Sequence, residues 1–200
     1  SRTTSTAYRP RGVWTTVAIQ RAPGAASLVV PEPVNMRRPS GARPWDEIFV
    51  PRRFRSSTLD NYQVNEHNRE LVRAVRAYVN GFHEATTSGL FIGGTVGTGK
   101  THLAFGIGRA LAERGYWPRY RNFVRVCVDL KQAWSRRESD DEIKDPLLRH
   151  SPLILDDLGA ERREPSEQGW VSELLYEVIE SRYEQTLATI IVSNMNLDDI

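Results

Sequence analysis

From about residue 90 onward, short apolar runs alternate with longer amphipathic segments. The apolar runs predict strands at residues 90–92, 153–155 and 189–192, and we predict a further strand at residues 119–123. The amphipathic segments predict helices at residues 100–114, 124–137 and 166–184, and the acidic run 138–142 is interpreted as a loop. Short apolar strands that alternate with helices are typical of a parallel sheet covered on both faces. We therefore predict an α/β fold, a three-layer sandwich around a parallel sheet.

The first part of the chain lacks this alternation. Residues 1–45 show no sustained period of 2 or 3.6 and no repeat, so we predict mostly loop. Residues 45–62 mix aromatic and charged side chains and are expected to pack on the domain that follows. An apolar stripe predicts a helix over 67–80, which Gly81 ends; its members are Leu71, Val75, Tyr78 and Val79. We place the boundary between a basic, poorly ordered arm at 1–47 and a core at 48–200.

Charge is distributed unevenly. The first 60 residues contain ten Arg, no Lys, four acidic residues and seven of the eleven prolines, whereas residues 61–200 carry a net charge of −4. Such a segment is typical of a poorly ordered tail or of an arm that binds nucleic acid phosphates, and both interpretations stay open. A single cysteine excludes an internal disulfide, and the absence of a long apolar run argues against a membrane span. A cytoplasmic protein fits best.

The segment after the first predicted strand matches the P-loop pattern G-x-x-x-x-G-K-T. It consists of Gly94, Thr95, Val96, Gly97, Thr98, Gly99, Lys100 and Thr101, and His102 follows it. The glycines let successive N–H groups point at phosphate oxygens, and the following helix adds its positive N-terminal end. In this pattern the lysine contacts the β- and γ-phosphates and the Thr101 hydroxyl binds Mg²⁺. The predicted ligands are therefore ATP and Mg²⁺, with residues 94–102 as the binding segment.

Acidic and amide side chains follow two later strands. Asp156 and Asp157 come directly after the strand at 153–155, and Asn194 comes soon after the strand at 189–192. The carboxyl ends of parallel strands form the ligand-binding edge of an open sheet. We expect Asp156 to bind Mg²⁺, directly or through water, and Asp157 to orient the attacking water. Asn194 is expected to hold that water or to contact the γ-phosphate, so the predicted catalytic residues are Lys100, Asp157 and Asn194.

These motifs together resemble AAA+ ATPases of the bacterial helicase-loader and transposition-helper (DnaC/IstB-like) branch. The similar segments are 50–55, 58–62, 94–101, 153–161, 180–183 and 190–194. The resemblance implies Walker A at 94–101, Walker B at Asp156 and Asp157, and sensor 1 at Asn194. It also implies single-stranded DNA, a replicative helicase or a transposase, and a homo-oligomer as partners. Asp157 often stands as Glu in the wider superfamily, so the shorter side chain predicts slow turnover.

The resemblance also implies parts for which the chain has no room after Ile200: a fifth strand, an arginine finger and a helical lid. Its strand order, 5-1-4-3-2, would leave the strand at 90–92 as an exposed apolar edge, which predicts aggregation of a truncated fragment. The candidates for a substitute finger are Arg162, Arg163 and Arg182, for which a solvated surface role is the favoured interpretation.

The predicted function is ATP binding and hydrolysis coupled to DNA replication or transposition. A nucleotide-dependent assembly module without significant hydrolysis is the alternative, and a small-molecule kinase is a third. For DNA, the side chains of Lys131, Arg136, Arg137 and Trp134 could combine charge with a stacking surface. Trp134 also shares a helix face with positions 131 and 138, which is compatible with core packing instead.

Overall fold

The structure is a computed structural model, and it describes residues 40–41, 44–45, 50–83, 89–159 and 168–194, together with the backbone of residues 15–20. Five strands and five α-helices are assigned in these ranges. The strands are β1 (Thr15–Gln20), β2 (Gly89–Gly94), β3 (Arg119–Asn122), β4 (Leu153–Leu158) and β5 (Thr189–Ser193). The α-helices are α1 (Arg69–Gly81), α2 (Lys100–Glu113), α3 (Phe123–Arg136), α4 (Asp141–Arg149) and α5 (Gln168–Glu184). A single 3₁₀ turn covers Arg52–Phe54 among the described residues.

The strands form one sheet in the order β1-β2-β5-β4-β3. Strands β2, β5, β4 and β3 run parallel, as the sequence predicts, so their carboxyl ends meet at one edge. Strand β1 pairs with β2 in the antiparallel direction, from Thr15 opposite Gly94 to Gln20 opposite Gly89. The expectation that residues 90–92 form an exposed edge is therefore wrong, because β1 covers the backbone groups of β2.

Hydrophobic clusters pack on the two faces of the sheet. One contains side chains of α1 and α2, and the other contains side chains of α3, α4 and α5. Strand β4 contributes to both, because successive side chains of a strand point to opposite faces: Ile154 lies in the first cluster, and Leu153 and Leu155 in the second. This arrangement confirms the predicted three-layer α/β sandwich.

The segment before α1 packs on the first of these faces. Trp45, Val50, Leu59 and Tyr62 are buried, which confirms the expectation for the described part of residues 45–62; residues 46–49 lie outside the described ranges. The indole N–H of Trp45 donates a hydrogen bond to the Pro118 carbonyl. The segment therefore belongs to the core on this face of the sheet.

Two sequence predictions need correction. The expected loop at 138–142 is shorter, because α4 begins at Asp141; Asp141 and Glu142 lie in its first turn, where acidic side chains interact favourably with the helix dipole. The expected loop over residues 1–45 contains β1. Residues 1–14 and 21–39 lie outside the described ranges, so the boundary at residue 47 stays a prediction. In the described part of the chain, no helix is long and apolar enough to cross a membrane.

Candidate nucleotide-binding site

The P-loop connects the end of β2 at Gly94 to the start of α2 at Lys100. Gly97 and Gly99 have φ values of 86° and 84°, in the left-handed region that side chains disfavour. The turn leads directly into α2, where the Leu103 N–H donates to the Gly99 carbonyl at 3.0 Å. The strand–loop–helix context that the motif requires is therefore present, with the N-terminal end of α2 at the loop.

The side chain of Lys100 lies within this loop. Its Nζ donates to the Thr95 carbonyl at 2.8 Å, and the Thr98 hydroxyl donates to the same carbonyl at 2.9 Å. Burial lowers the pKa of Lys100, and the nearby charges of Asp156 and Asp157 act in the opposite direction. The ammonium group is thus close enough to the acidic pair to interact with it electrostatically.

Asp156 and Asp157 lie near the carboxyl end of β4, and their environments differ. Asp156 is 1% exposed, and its Oδ2 accepts a hydrogen bond from the Tyr120 hydroxyl at 3.0 Å. Asp157 is only partly buried and has a positive φ of 60°, which lies in the left-handed region. The buried Asp156 is therefore suited to be an ion ligand inside the site, and the more exposed Asp157 to contact groups on its solvent side.

The residues that would hold Mg²⁺ fit such an ion. The Thr101 hydroxyl lies close enough to the Asp156 carboxylate to lower its pKa slightly, so the two predicted ligand groups are neighbours. Burial, and then the charge of Asp157, raise the pKa of Asp156 above its ordinary value. A buried carboxylate beside a hydroxyl oxygen offers the oxygen ligands that a hard divalent cation prefers.

Strand β3 supplies two contacts that sequence analysis missed. Tyr120 reaches Asp156, and the Asn122 amide Nδ2 donates to Asp157 Oδ2 at 2.6 Å. Asn122 also caps α3, because its Oδ1 accepts from the Arg125 N–H at 3.0 Å. The sequence could indicate that residues 120 and 122 share one face of a strand. Their closeness to the acidic pair follows from the pairing of β3 with β4.

Asn194 directly follows β5, which lies between β2 and β4 in the sheet. Its side chain is exposed. Beside it, the Ser193 hydroxyl donates to the Leu158 carbonyl at 2.7 Å and so joins the ends of β5 and β4. The fold brings Asn194 to the same edge as the P-loop and the acidic pair, and its contact with water or phosphate stays a prediction.

The segment from Ser57 to Tyr62 covers one side of the P-loop. The Tyr62 hydroxyl donates to the Thr98 carbonyl at 2.9 Å, and a Cβ at position 99 would lie only 2.9 Å from the Tyr62 ring. The His102 ring packs edge-on against Tyr62, and its Nε2 lies 3.0 Å from the Thr58 carbonyl and 2.9 Å from Asn61 Oδ1. His102 therefore faces this covering segment.

Trp134 packs against a second tryptophan near the surface. Its ring lies 5.0 Å from that of Trp170 in an edge-to-face arrangement, and its Nε1 donates to Asp140 Oδ2 at 3.0 Å. The Lys131 ammonium lies 5.8 Å from the Trp170 ring. Trp134 remains 42% exposed, so part of its ring faces solvent.

Arg182 does not have the expected surface role. It is 1% exposed, and its guanidinium donates to the Leu147 and Ala188 carbonyls and to the Thr189 hydroxyl at 2.7–2.8 Å. Burial lowers the pKa of Arg182 to about 9. Arg182 is therefore neither a solvated surface residue nor a substitute arginine finger, and both predictions are wrong for it. Its hydrogen bonds instead connect α5 to α4 and β5. Arg162 and Arg163 lie outside the described residues.

Comparison with known proteins agrees with this geometry. The family model described as "IstB-like ATP binding protein" matches residues 55–200. The replicative helicase loader DnaI of Bacillus subtilis (strain 168) is 24% identical over 157 residues, which are 76% of this chain and 49% of DnaI. The putative ATP-binding protein of insertion sequence IS232 from Bacillus thuringiensis subsp. berliner is 31% identical over 106 residues, 52% of this chain and 39% of that protein.

The crystal structure of the DnaC helicase loader has the same fold, with a TM-score of 0.63 and 30% identity over 74% of this chain and 81% of that chain. This chain spans about half or less of the length of the two curated relatives named above. The family model covers well over half of the chain, including all elements from α1 to β5. The chain therefore belongs to the IstB-like ATP-binding protein family.

Proposed function

We propose that this protein binds ATP with Mg²⁺ and hydrolyses it, and that the cycle serves DNA replication or transposition. The observation that supports this most directly is the convergence of three groups at one sheet edge. The charges of Asp156 and Asp157 act on Lys100, and the Thr101 hydroxyl lies close to the Asp156 carboxylate. The phosphate-binding lysine, the metal ligands and the water-orienting carboxylate are thus neighbours.

The chain's own groups have separate tasks in this proposal. The N–H groups of residues 94–101 bind the phosphate oxygens, and Lys100 leaves the Thr95 carbonyl to contact the β- and γ-phosphates. Bound Mg²⁺ would neutralise phosphate charge, held by Thr101 and Asp156. Asp157 orients the attacking water and accepts its proton as the water oxygen bonds to the γ-phosphorus, and Asn194 holds that water or contacts the γ-phosphate.

The proposed partners are single-stranded DNA and either a replicative helicase or a transposase. Trp134 offers a base-stacking surface, and Lys131, Arg136 and Arg137 offer phosphate contacts on or next to the same helix. The two curated relatives support both kinds of partner, because one is named a replicative helicase loader and the other an insertion-sequence protein.

A second candidate function is a nucleotide-dependent assembly module without significant hydrolysis. The contact that favours it is the 2.6 Å hydrogen bond from Asn122 to Asp157, which holds the water-orienting carboxylate against β3. In this candidate, ATP binds and changes assembly while Asp157 stays with Asn122. The two candidates differ in turnover and agree in binding.

Steady-state ATP hydrolysis, measured with and without single-stranded DNA, separates them. For hydrolysis, we expect turnover that DNA stimulates, and a loss of roughly a hundredfold or more in Asp157→Asn with ATP binding retained. Lys100→Ala controls for contaminating ATPases, and Asn122→Ala tests whether release of Asp157 changes the basal rate. Binding without any turnover in all conditions supports the assembly module, and absence of binding rejects both.

A further inference from the structure

His150 is a buried polar side chain that plays no part in the nucleotide-binding site. It lies between α4 and β4, at the amino-terminal end of the parallel strands, whereas the P-loop lies at their carboxyl ends. His150 is 7% exposed, and its Nδ1 has no hydrogen-bond partner among the described residues. A buried ring nitrogen that lacks a partner lowers stability, so it indicates a place where a ligand can supply one.

Hydrogen bonds fix the segment that carries His150. The Ala188 N–H donates to the Ser151 hydroxyl at 3.1 Å. The Arg119 N–H donates to the Pro152 carbonyl at 2.9 Å, which joins the start of β3 to the start of β4. His150 therefore has a defined position beside the first residues of β3.

Two arginines of β3 lie near this imidazole. Arg119 and Arg121 share one face of the strand, because side chains alternate along it. Their register partners in β4 are Leu153 and Leu155, which belong to the cluster of α3, α4 and α5, so this face of β3 is the one that those helices cover. Both arginines are partly buried, and the charge of Arg119 acts on both Arg121 and His150. We call Arg119, Arg121 and His150 the β3 basic cluster.

Partial burial destabilises the positive charges of the β3 basic cluster. Burial lowers the pKa of both arginines, and the charge of Arg119 lowers that of Arg121 further. Burial, and then the charge of Arg119, lower the pKa of His150 to about 4, so its imidazole is neutral near neutral pH and carries one N–H donor. An anion that paired with both guanidinium groups would compensate their lost hydration and their mutual repulsion.

Two aspartates act on the β3 basic cluster, and each is paired with a different arginine. Asp145 Oδ1 lies 3.1 Å from Arg149 Nε, and Asp129 Oδ1 lies 2.9 Å from Arg125 Nε. The buried guanidinium of Arg182 adds a further positive charge that acts on the imidazole. The cluster therefore lies in a surrounding with more positive than negative charge, which favours an anion as its ligand.

We propose that the β3 basic cluster binds a small phosphate, with both guanidinium groups pairing with its oxygens and the His150 Nδ1–H donating to it. Guanidinium groups present paired N–H donors that match phosphate oxygens, and charge-assisted hydrogen bonds of this kind are strong. The ligand is inorganic phosphate or the terminal phosphate of a monoester rather than the diester backbone of DNA, because its oxygens must reach a buried ring nitrogen. The site is remote from the P-loop, so the inference goes beyond the proposed function and does not require it.

Proton–nitrogen correlation NMR of the histidine side chains in the full chain tests the proposal, with sodium phosphate as the probe. The chain has four histidines, and a His150→Gln variant assigns the signal of His150. We expect phosphate to shift this signal saturably and to raise the pKa of His150, because a bound anion stabilises the imidazolium form. Sodium chloride at the same ionic strength should leave the signal in place.

Variants separate this site from the P-loop and from general effects of charge. Arg121→Met should weaken the phosphate affinity by about tenfold or more, and Arg121→Lys, which keeps the charge, should recover part of it. Arg73→Met is the matched control, since Arg73 is an exposed arginine on α1, on the other face of the sheet. Lys100→Ala should leave the His150 response unchanged, which distinguishes this site from ATP binding. Circular dichroism shows whether each variant is folded.

Two further probes identify the source of the phosphate. Glycerol 3-phosphate carries a terminal phosphate, whereas a single-stranded oligonucleotide without terminal phosphates carries diesters alone. A response to glycerol 3-phosphate assigns the site to monoesters, and a response to inorganic phosphate alone assigns it to the free anion. The proposal is overturned if phosphate causes no shift, if chloride causes the same shift, if Arg121→Met responds as wild type does, if Arg73→Met weakens binding equally, or if the oligonucleotide alone shifts the signal.

Discussion

At the scale of single residues, the carboxylate of Asp156 is almost completely buried. Burial and the neighbouring Asp157 raise its pKa, so the folded protein binds this proton more tightly than the unfolded chain does. The contribution of this group to the stability of the nucleotide-free protein is therefore fully present below its unfolded pKa and is lost as the pH rises through its folded pKa. The ionised Asp156 carboxylate is therefore suited to bind a cation, but it lowers the stability of the nucleotide-free protein.

We predict that Asp156→Asn raises the Tm of the nucleotide-free protein, because it removes the buried charge and keeps the shape. A gain of about 1 kcal/mol corresponds to roughly 2–4 °C for a domain of this size. Differential scanning calorimetry measures it, and Asp157→Asn, at a more exposed carboxylate, should change Tm less. A lower Tm in Asp156→Asn would show that its hydrogen bonds outweigh its desolvation.

Tyr62 gives a second prediction at this scale. Its hydroxyl bonds the Thr98 carbonyl, so Tyr62→Phe removes one hydrogen bond to the P-loop, of roughly 1 kcal/mol. We expect ATP to bind up to about fivefold more weakly, as measured by calorimetric titration, and Tm to fall by no more than roughly 2–4 °C. Tyr116→Phe is the matched control, because that hydroxyl bonds the Phe82 carbonyl away from the loop. Equal ATP affinity in Tyr62→Phe and wild type would refute the role.

At the scale of elements, β1 completes the sheet beside the P-loop strand. Its pairing with β2 covers backbone groups that otherwise form an open edge. We predict that deletion of residues 1–20 causes aggregation, detected by light scattering on slow heating. Deletion of residues 1–14, which keeps β1, serves as the control and should leave the protein monodisperse under the same conditions. Identical scattering from the two deletions would contradict the role of β1.

Arg182 connects three elements, so we expect its substitution to lower the free energy of unfolding. Arg182→Met leaves the Leu147 and Ala188 carbonyls without this donor, and we expect unfolding free energy to fall by about 3 kcal/mol in urea denaturation. Arg149→Met removes only an exposed pair with Asp145 and should cost less than about 1 kcal/mol. Similar losses for the two variants would mean that the buried contacts contribute little.

The elements also show what the sequence could predict. Apart from α4, the strands and helices from α1 onward were predictable, because local periodicity and the glycines at 81, 97 and 115 reflect the structure directly. The pairing of β1 was not, because a long-range antiparallel contact leaves no local period. Helix α4 was hidden by its acidic start and by Pro146 within it. The burial of Arg182 depends on carbonyls from two other elements, which no spacing along the chain reveals.

At the scale of the whole molecule, the parallel sheet brings distant segments to one edge. The P-loop, the acidic pair and Asn194 were predictable as a set, because each follows a predicted strand. Their support was not predictable: Tyr62, Tyr120 and Asn122 act through contacts 35 or 36 residues away in sequence. The functional motifs are thus local, whereas the groups that hold them are set by the tertiary fold.

Calorimetric titration of the full chain with ATP and Mg²⁺ tests the central claim, nucleotide binding at the P-loop. We predict saturable 1:1 binding that Lys100→Ala weakens by at least about tenfold, roughly 1.4 kcal/mol. Val96→Ala, at an exposed position of the same loop, should bind as wild type does. Wild-type protein that shows no binding, or Lys100→Ala that binds as tightly as wild type, would contradict the account.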